Sequence, residues 1–464
     1  MASIGIAYDS GTLLLSGLTD ALAVQLPQVT WDLRTKQWRA PGRVYKSLLL
    51  TLRSLGHTFD DQARAYDVLS LRLAEPIVPR EHQTKALAAW VSAGKAGSIQ
   101  LPTGAGKTIL AVLAILTTAR SALVIVPTID LMQQWETVLT RYLQQPIGLL
   151  GGGAHDIQQI TVSTYDSAVL HIERLGQKFG FIIFDECHHL PAPQYQTIAI
   201  AAIAPFRLGL SATMERTDGK ERVIYDLVGP LVYEGQIHQM ADTVLSPYDV
   251  VSIQVLMTPE EMTAYQEARG LYTSFLRRSG IRFNSGADWM QFVRASVRTT
   301  DGRLAMRAYR DQKRLAQAAH AKLQATWEII KRHRGERVLI FTDDNALAYR
   351  IGREFFVPVL THQTKVKERK LFLDSFRSGA ISVLATSKVL NEGVDVPEAS
   401  IGLVLSGSGT VREHVQRLGR ILRARPGKRA VLYEVIAQGT NEYFVNQRRR
   451  QHDAYQGPSE LPEA

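Results

Sequence analysis

The sequence predicts an α/β protein with two parallel-sheet lobes, an N-terminal α+β unit and a helical insertion between the lobes. Three observations lead there. From about Ser98 to Gly235 short apolar runs alternate with helical stretches, from about Glu336 the alternation returns, and the segments before and between follow neither pattern. Continuous apolar strands spaced by helices mark sheets covered on both faces, because a parallel neighbour needs a crossover that returns over one face. A chain of 464 residues also exceeds what one core accommodates.

In chain order, residues 1–78 form the N-terminal unit, with a helix placed by Tyr45, Leu48, Leu49, Leu52 and Leu55 and stopped by Gly56. The first lobe spans 79–240. Its strand-like runs are SIQL (98–101), ALVIV (122–126), ITVS (160–163), FIIF (181–184) and RLGL (207–210). Each ends in a polar or small cluster: PTGAGKT, PT, TY, DECHH and SAT. Ligands of such sheets gather beyond the carboxyl ends of the strands, where all five clusters fall. Residues 241–335 are expected to hold a linker and the helical insertion. Thr258-Pro259-Glu260-Glu261 is a capping box with proline at the first helical position, and Met262, Tyr265, Tyr272 and Phe275 follow on one face. Leu315, Ala319, Leu323, Trp327 and Ile330 keep helical spacing up to Gly335. The second lobe, 336–446, carries RVLIF (337–341), SVLAT (382–386), IGLVL (401–405) and AVLYEVI (430–436), and a polar, basic tail fills 447–464.

Basic side chains outnumber acidic ones by 54 to 44, and the resulting net charge of +10 favours a polyanionic partner. The single cysteine, Cys187, excludes an internal disulfide and suits a reducing compartment. The opening MASIGIAYDSGTLLL has no basic segment ahead of an apolar core, which is unlike a secretory signal. No run approaches the ~18–20 apolar residues that span a bilayer. The expectation is a soluble, cytoplasmic protein without a membrane partner.

LPTGAGKT (101–108) is built to hold phosphate. Gly104 and Gly106 let the backbone close in, Lys107 reaches the β- and γ-phosphates, and Thr108 ligates Mg²⁺. The usual phosphate-loop pattern starts with glycine, and Leu101 stands there instead. FIIFDECHH supplies the second half: an apolar strand ending in Asp185-Glu186 puts one carboxylate on Mg²⁺ and another where attacking water is polarised. Adjacent His188 and His189 point in different directions with no Cys/His cluster beside them, so zinc is a poor reading. Two further stretches single out one kind of phosphate-loop machine. In GLSATMERTD (209–218), Ser211 and Thr213 are small hydroxyl residues placed to link the nucleotide site to movement. In QRLGRILR (416–423), Arg420 and Arg423 share a helix face and suit an arginine-finger role.

LPTGAGKT, DECH, SAT and QRLGRILR resemble motifs I, II, III and VI of the superfamily-2 helicases. In order with them, PREHQ resembles the adenine-reading element. VPTIDLMQQW (126–135), TVSTYDS (161–167), VLIFTDD (338–344) and ATSKVLNEGVDVP (385–397) resemble motifs Ia, Ic, IV and V. The resemblance implies two RecA-like P-loop NTPase domains using ATP and Mg²⁺. It gives Arg80 and Gln83 the adenine, Thr103, Gly104, Ala105, Gly106, Lys107 and Thr108 the phosphates, and Thr108 with Asp185 the metal. Gly393 and Asp395 would sense nucleotide, and Ser211, Ala212, Thr213 and Gln416 would couple it to motion. Thr128, Thr164 and Thr386 would touch the nucleic-acid backbone.

Within that superfamily the chain resembles the XPB-like DNA helicases. Arg216-Thr217-Asp218 is similar to that family's Arg-Glu-Asp element, departing at the middle residue, and places Arg216 and Asp218 near nucleic acid. The insertion at about 256–332 resembles the family's thumb. The N-terminal unit, with WDLRTKQWRAPGRVY (31–45), is similar to its damage-recognition-like leader. The resemblance implies an ATP-driven motor on DNA, duplex and single-stranded, with 3′ to 5′ polarity and a role in repair or strand opening. A nuclease partner, as some relatives have, is part of the same expectation. Eight arginines between Arg277 and Arg310 interleave with Phe275, Phe283, Trp289 and Phe292, which suits either phosphate and base contacts or a solvated helix face over a core. Two other functions fit the same motifs: an RNA-dependent ATPase or RNA remodeller, and an ATP-gated DNA-binding switch.

Overall fold

The computed structural model describes residues 4–214, 219–235, 248–282, 286–387, 399–405 and 430–442. The chain divides into two compact units, 1–101 with 106–235, and 102–105 with 236–464.

The first unit begins with a five-stranded sheet. Strands β1 (Ile4–Asp9), β2 (Thr12–Ser16), β3 (Thr30–Asp32), β4 (Gln37–Pro41) and β5 (Phe59–Asp61) lie in the order β3-β4-β2-β1-β5, antiparallel except β1 with β5. Helix Tyr45–Ser54 covers one face, burying Tyr45, Leu48 and Leu52 against Ile4, Ile6, Leu13 and Leu15. It ends as expected, with Gly56 in the left-handed region at φ 75°. Ile203 belongs to this core although it lies 140-odd residues along the chain, and Tyr8 Oη donates to Ile172 O and Ala201 O, each at 3.2 Å. Gly42 completes the seat. A Cβ there would overlap the Ala201 carbonyl.

The same unit continues into an eight-stranded sheet. It contains β6 (Ala96–Gln100), β7 (Ala122–Val126), β8 (Ile147–Gly151), β9 (Ala154–His155), β10 (Ile160–Thr164), β11 (Phe181–Asp185), β12 (Phe206–Ser211) and β13 (Leu231–Glu234). The order is β13-β6-β12-β11-β7-β10-β8-β9, parallel throughout except the short β8–β9 hairpin. The five anticipated runs match β6, β7, β10, β11 and β12 to within two residues, and every position of β7, β10 and β11 is buried. Arg207 sits inside this lobe, 7% exposed. Its guanidinium donates to Ala199 O, Ala202 O, Ala204 O and Leu227 O at 2.7–3.2 Å, closing the ends of helices Pro193–Ala201 and Glu221–Leu227. Burial, and then the charge of Arg43, lower its pKa to about 10, so it stays charged at neutral pH.

The second unit holds a six-stranded, wholly parallel sheet: β14 (Tyr248–Val255), β15 (Val338–Phe341), β16 (Val359–Leu360), β17 (Val383–Thr386), β18 (Ile401–Val404) and β19 (Ala430–Ala437). Their order is β14-β19-β18-β15-β17-β16. Here the structure differs from the expectation for 241–335. Strand β14 pairs along its whole length with β19, and helix His320–Arg332 buries Leu323 and Ile329 in the core of this sheet. The periodicity of Leu323, Trp327 and Ile330 was that of a helix covering a sheet, which looks the same in sequence as one in a separate insertion. The insertion proper is three helices, Pro259–Arg278, Gly286–Arg298 and Thr300–Gln317. Phe275 and Phe292 are buried at its centre with Tyr272, and Trp289 packs on Phe292 and Tyr309 at 5.5 and 5.2 Å. Those aromatics form a core, whereas Arg277, Arg278, Arg282, Arg294, Arg298, Arg303, Arg307 and Arg310 are all exposed. Phe283 lies outside the described residues.

Gly42→Ala should unseat the N-terminal sheet and lower stability by about 1–3 kcal/mol, since the neighbour it meets is backbone. Gly270→Ala, at an exposed site inside helix Pro259–Arg278 with nothing within 4 Å, should instead raise stability by about 0.5–1 kcal/mol. Denaturant unfolding followed separately for each substitution checks both signs.

Candidate functional site

Strand order brings the phosphate loop and the acidic pair to one edge. β12 lies between β6 and β11, in register Ser211↔Gln100 and Leu210↔Asp185. Leu101 N donates to Ser211 O at 3.0 Å, so the chain leaves β6 for the loop beside the Ser-Ala-Thr turn. Gly104 and Gly106 take φ of 87° and 84°, a conformation that only glycine adopts without strain. Gly106 caps helix Lys107–Thr118, which presents its free N–H groups at the loop. Lys107 Nζ donates to Leu101 O at 3.0 Å, across the base of the loop.

Gln83 sits against this loop. Its Nε2 donates to Gly106 O at 3.0 Å, and its Oε1 accepts from Arg80 N at 2.9 Å, forming the capping box of helix Glu81–Ser92. Each end of the amide is thus anchored by one protein group, which leaves a second N–H and a second lone pair for the expected adenine contact. Thr103 Oγ1 and Glu186 Oε2 are buried without a hydrogen-bond partner among the described residues. Such orphans are costly unless a ligand meets them, and a polyphosphate with a hard cation suits this set of backbone N–H, ammonium, hydroxyl and carboxylate groups.

At the end of β11 the Asp185 carboxylate is 5% exposed. Trp135 Nε1 donates to its Oδ2 at 2.8 Å and Glu186 N to its Oδ1 at 3.0 Å. Burial, and then the neighbouring Glu186 charge, hold its pKa above the usual carboxylate range, while Lys107 and the two donors pull the other way. Glu186 takes φ 46°, in the left-handed region that a side chain with a Cβ seldom adopts. His188 then links this corner to the next strand: its Nδ1 lies 2.9 Å from Ser211 Oγ and 3.4 Å from Glu186 Oε2, and Ser211 Oγ donates to Thr213 O at 2.6 Å. Among the described residues no group of three or more His, Cys, Asp and Glu side chains is placed to hold a metal ion by itself.

Thr128, two residues past β7, and Thr164, the last residue of β10, cap the helices that follow, accepting from Leu131 N at 3.2 Å and Ser167 N at 3.3 Å. Beside both runs Gly151-Gly152-Gly153, with φ of 144°, 60° and 91°. A Cβ on Gly151 would crowd Thr164, and one on Gly152 would crowd Ile129. Sequence reasoning missed this loop and Trp135, although three successive glycines after a short apolar run were a visible signal. Thr386 is fully buried and its hydroxyl donates to Ser387 O at 2.9 Å, so the expected strand contact does not follow from its position at the inner end of β17. Arg216, Asp218, Gly393, Asp395, Gln416, Arg420 and Arg423, together with the basic tail, lie outside the described residues.

Three family descriptions match successive parts of the chain: Xeroderma pigmentosum group B helicase damage recognition domain at residues 6–63, type III restriction enzyme res subunit at 76–216, and ERCC3/RAD25/XPB C-terminal helicase at 303–459. The chain is 37% identical to the DNA 3′-5′ translocase XPB2 of Sulfurisphaera tokodaii over 94% of its own length and 98% of that protein. It is 29% identical to the DNA 3′-5′ helicase XPB of Mycobacterium tuberculosis over 77% of its own length and spans 61% of that longer protein. Two solved structures share the fold of two RecA-like lobes: the Pyrococcus furiosus Hef helicase domain (TM-score 0.54, 17% identity, 80% of this chain and 98% of that one) and S. cerevisiae Dbp5 bound to RNA and ADP BeF3 (TM-score 0.57, 15% identity, 81% and 88%).

Glu186→Gln should bind ATP as tightly as the unaltered protein yet lose turnover by at least ~10²-fold, because only the water-polarising charge is removed. Its melting temperature should change little, since the Oε2 that lacks a hydrogen bond loses only its 3.4 Å contact with the His188 ring. Equilibrium binding of a fluorescent ATP, steady-state hydrolysis and a thermal melt check the three parts.

Proposed function

Because the chain belongs to the XPB family of DNA helicases and translocases, as its likeness to the Sulfurisphaera tokodaii protein over nearly the whole of both chains shows, we propose that it is an ATP-driven 3′-5′ DNA motor acting in repair or strand opening. The observation that carries the reading is the strand order β6-β12-β11, which sets the phosphate loop, the Ser-Ala-Thr turn and the acidic pair side by side.

In this reading Gly104, Gly106 and the N-terminus of helix Lys107–Thr118 receive the phosphates, with Lys107 released from Leu101 O to bind the β- and γ-oxygens. Thr108 and Asp185 hold Mg²⁺, which when bound neutralises charge on the transferring phosphoryl group. Glu186 orients the attacking water and accepts its proton. Arg420 and Arg423 are assigned the neutralisation of transition-state charge, and Gly393, Asp395, Ala212 and Gln416 the sensing of nucleotide. The bridge from Glu186 through His188 to Ser211 and Thr213 ties the state of the phosphate to the next strand end.

DNA, duplex or single-stranded, is the partner. The N-termini of the helices capped by Thr128 and Thr164, with Gly151–Gly153 alongside, present backbone N–H groups that suit a phosphate track without base readout. Arg216 and Asp218 are assigned to nucleic acid in the same reading, and within the second unit the exposed arginines of the three-helix insertion suit phosphate contacts of their own. The domains follow as 1–78, 79–240, 241–335 and 336–446 with a basic tail, modified by the placement of β14 and helix His320–Arg332 on the second sheet. A nuclease that acts on the opened strand is the kind of protein partner this reading accommodates. No helix among the described residues is long and apolar enough to cross a membrane.

Steady-state ATP hydrolysis should be stimulated strongly by duplex or single-stranded DNA and abolished in Lys107→Ala, which should still bind DNA. Equal or greater stimulation by RNA would replace the DNA motor with an RNA remodeller. Nucleotide-dependent DNA binding with no stimulation by any nucleic acid would leave ATP as a gate.

A further inference from the structure

Trp135 stands on helix Ile129–Tyr142, about two turns from the Thr128 cap. Its indole is 1% exposed, on the buried face with Met132 and Leu139. A buried indole N–H needs an acceptor, and backbone usually serves. Trp90 in the same lobe shows that solution, donating to Arg207 O at 2.9 Å. Trp135 instead donates at 2.8 Å to Asp185 Oδ2, on a side chain already held at Oδ1 by Glu186 N. The two donors together fix the plane of the carboxylate. One belongs to the acidic turn itself. The other belongs to a helix whose first turn is at the proposed DNA track, and a helix carries a displacement along its length as a rigid rod.

We infer that Trp135 is the positioning residue that makes ATP turnover answer to DNA: a strand lodged at the Thr128 end of the helix sets the orientation of the Asp185 carboxylate through the indole N–H. This rests on the reading of Thr128 and Asp185 given above. Packing alone would ask for an indole-sized ring at this position; the N–H serves the Asp185 carboxylate, and the response to DNA separates a relay from static support. The distinction is chemical. Trp135→Phe keeps an aromatic ring and removes the donor, and Trp90→Phe makes the same change where the acceptor is a carbonyl remote from the site.

The test compares the unaltered protein, Trp135→Phe and Trp90→Phe in ATP hydrolysis with and without duplex DNA. In Trp135→Phe the DNA-stimulated kcat should fall ~10-fold or more, the range seen when a group orienting a metal-binding carboxylate is lost, while the KM for ATP holds. Trp90→Phe should keep its stimulation. A second readout needs no turnover: the indole ¹H–¹⁵N resonance of Trp135 should shift when duplex DNA is added without nucleotide. That resonance is assigned by its loss in Trp135→Phe, or, should that variant not fold, by elimination with phenylalanine at the other five tryptophans. Full DNA stimulation in a folded Trp135→Phe, or a resonance unmoved by DNA, overturns the inference and leaves the motor reading intact. Failure of the unaltered protein to respond to DNA overturns both.

Discussion

A carboxylate taken out of water at the end of a central strand constrains everything around it. Asp185 is nearly inaccessible, carries another acid as its neighbour, and is held by one indole N–H and one backbone N–H. An ionised group so placed is tolerated only where donors and opposite charge compensate the lost hydration. The compensation comes from three separate elements: the acidic turn, helix Ile129–Tyr142 and Lys107 at the start of helix Lys107–Thr118. Each must be in place for the others to be affordable, so the site and the lobe that contains it fold as one object. In the proposed reading a cation at Asp185 would add to that compensation.

The parallel sheet decides which elements can supply that compensation. All its strands but the short β9 point the same way, so the polar clusters open on one edge, and the order of strands decides which clusters touch. With β12 between β6 and β11, the Ser-Ala-Thr turn contacts the loop strand through Leu101 N and the acidic turn through His188. The opposite end of the lobe is structural. There Arg207 gathers four carbonyls, and the N-terminal sheet rests on Ala201 through Gly42 and Tyr8. A small leader sheet of five strands gains its share of a core by borrowing Ile203 from the lobe beneath it.

The central strands were legible because burial on both faces leaves runs such as ALVIV and FIIF with no alternative reading. Where burial is partial the signal fades. LVYE at β13 is a short edge strand with every residue at least partly accessible, and IGLLG at β8 has glycine at its second and last positions, leaving a short apolar run. β14 read as linker because its pairing partner lies at the far end of the chain, and no local pattern announces a distant neighbour. In the site, residue types with dedicated chemistry were found and those with borrowed chemistry were not. Lys107, Asp185 and Glu186 announce themselves, whereas Trp135 looks like any core aromatic until its N–H is traced to Asp185. Gln83 was found, but its two commitments to Arg80 and Gly106 depend on geometry that spacing does not contain.

The pairing of β14 with β19 also has a temporal side. Among the described strands of its sheet β14 leaves the ribosome first, yet the one it pairs with is the last to emerge, roughly 180 residues later at a synthesis rate of ~5–20 residues per second. For on the order of ten seconds or more an apolar strand with an open hydrogen-bonding edge therefore waits without its mate. The three-helix insertion is made in that interval, from local contacts that close quickly. It separates the waiting strand from the remainder of the sheet by a folded body rather than by loose chain, which leaves fewer wrong partners within reach while the nascent polypeptide grows.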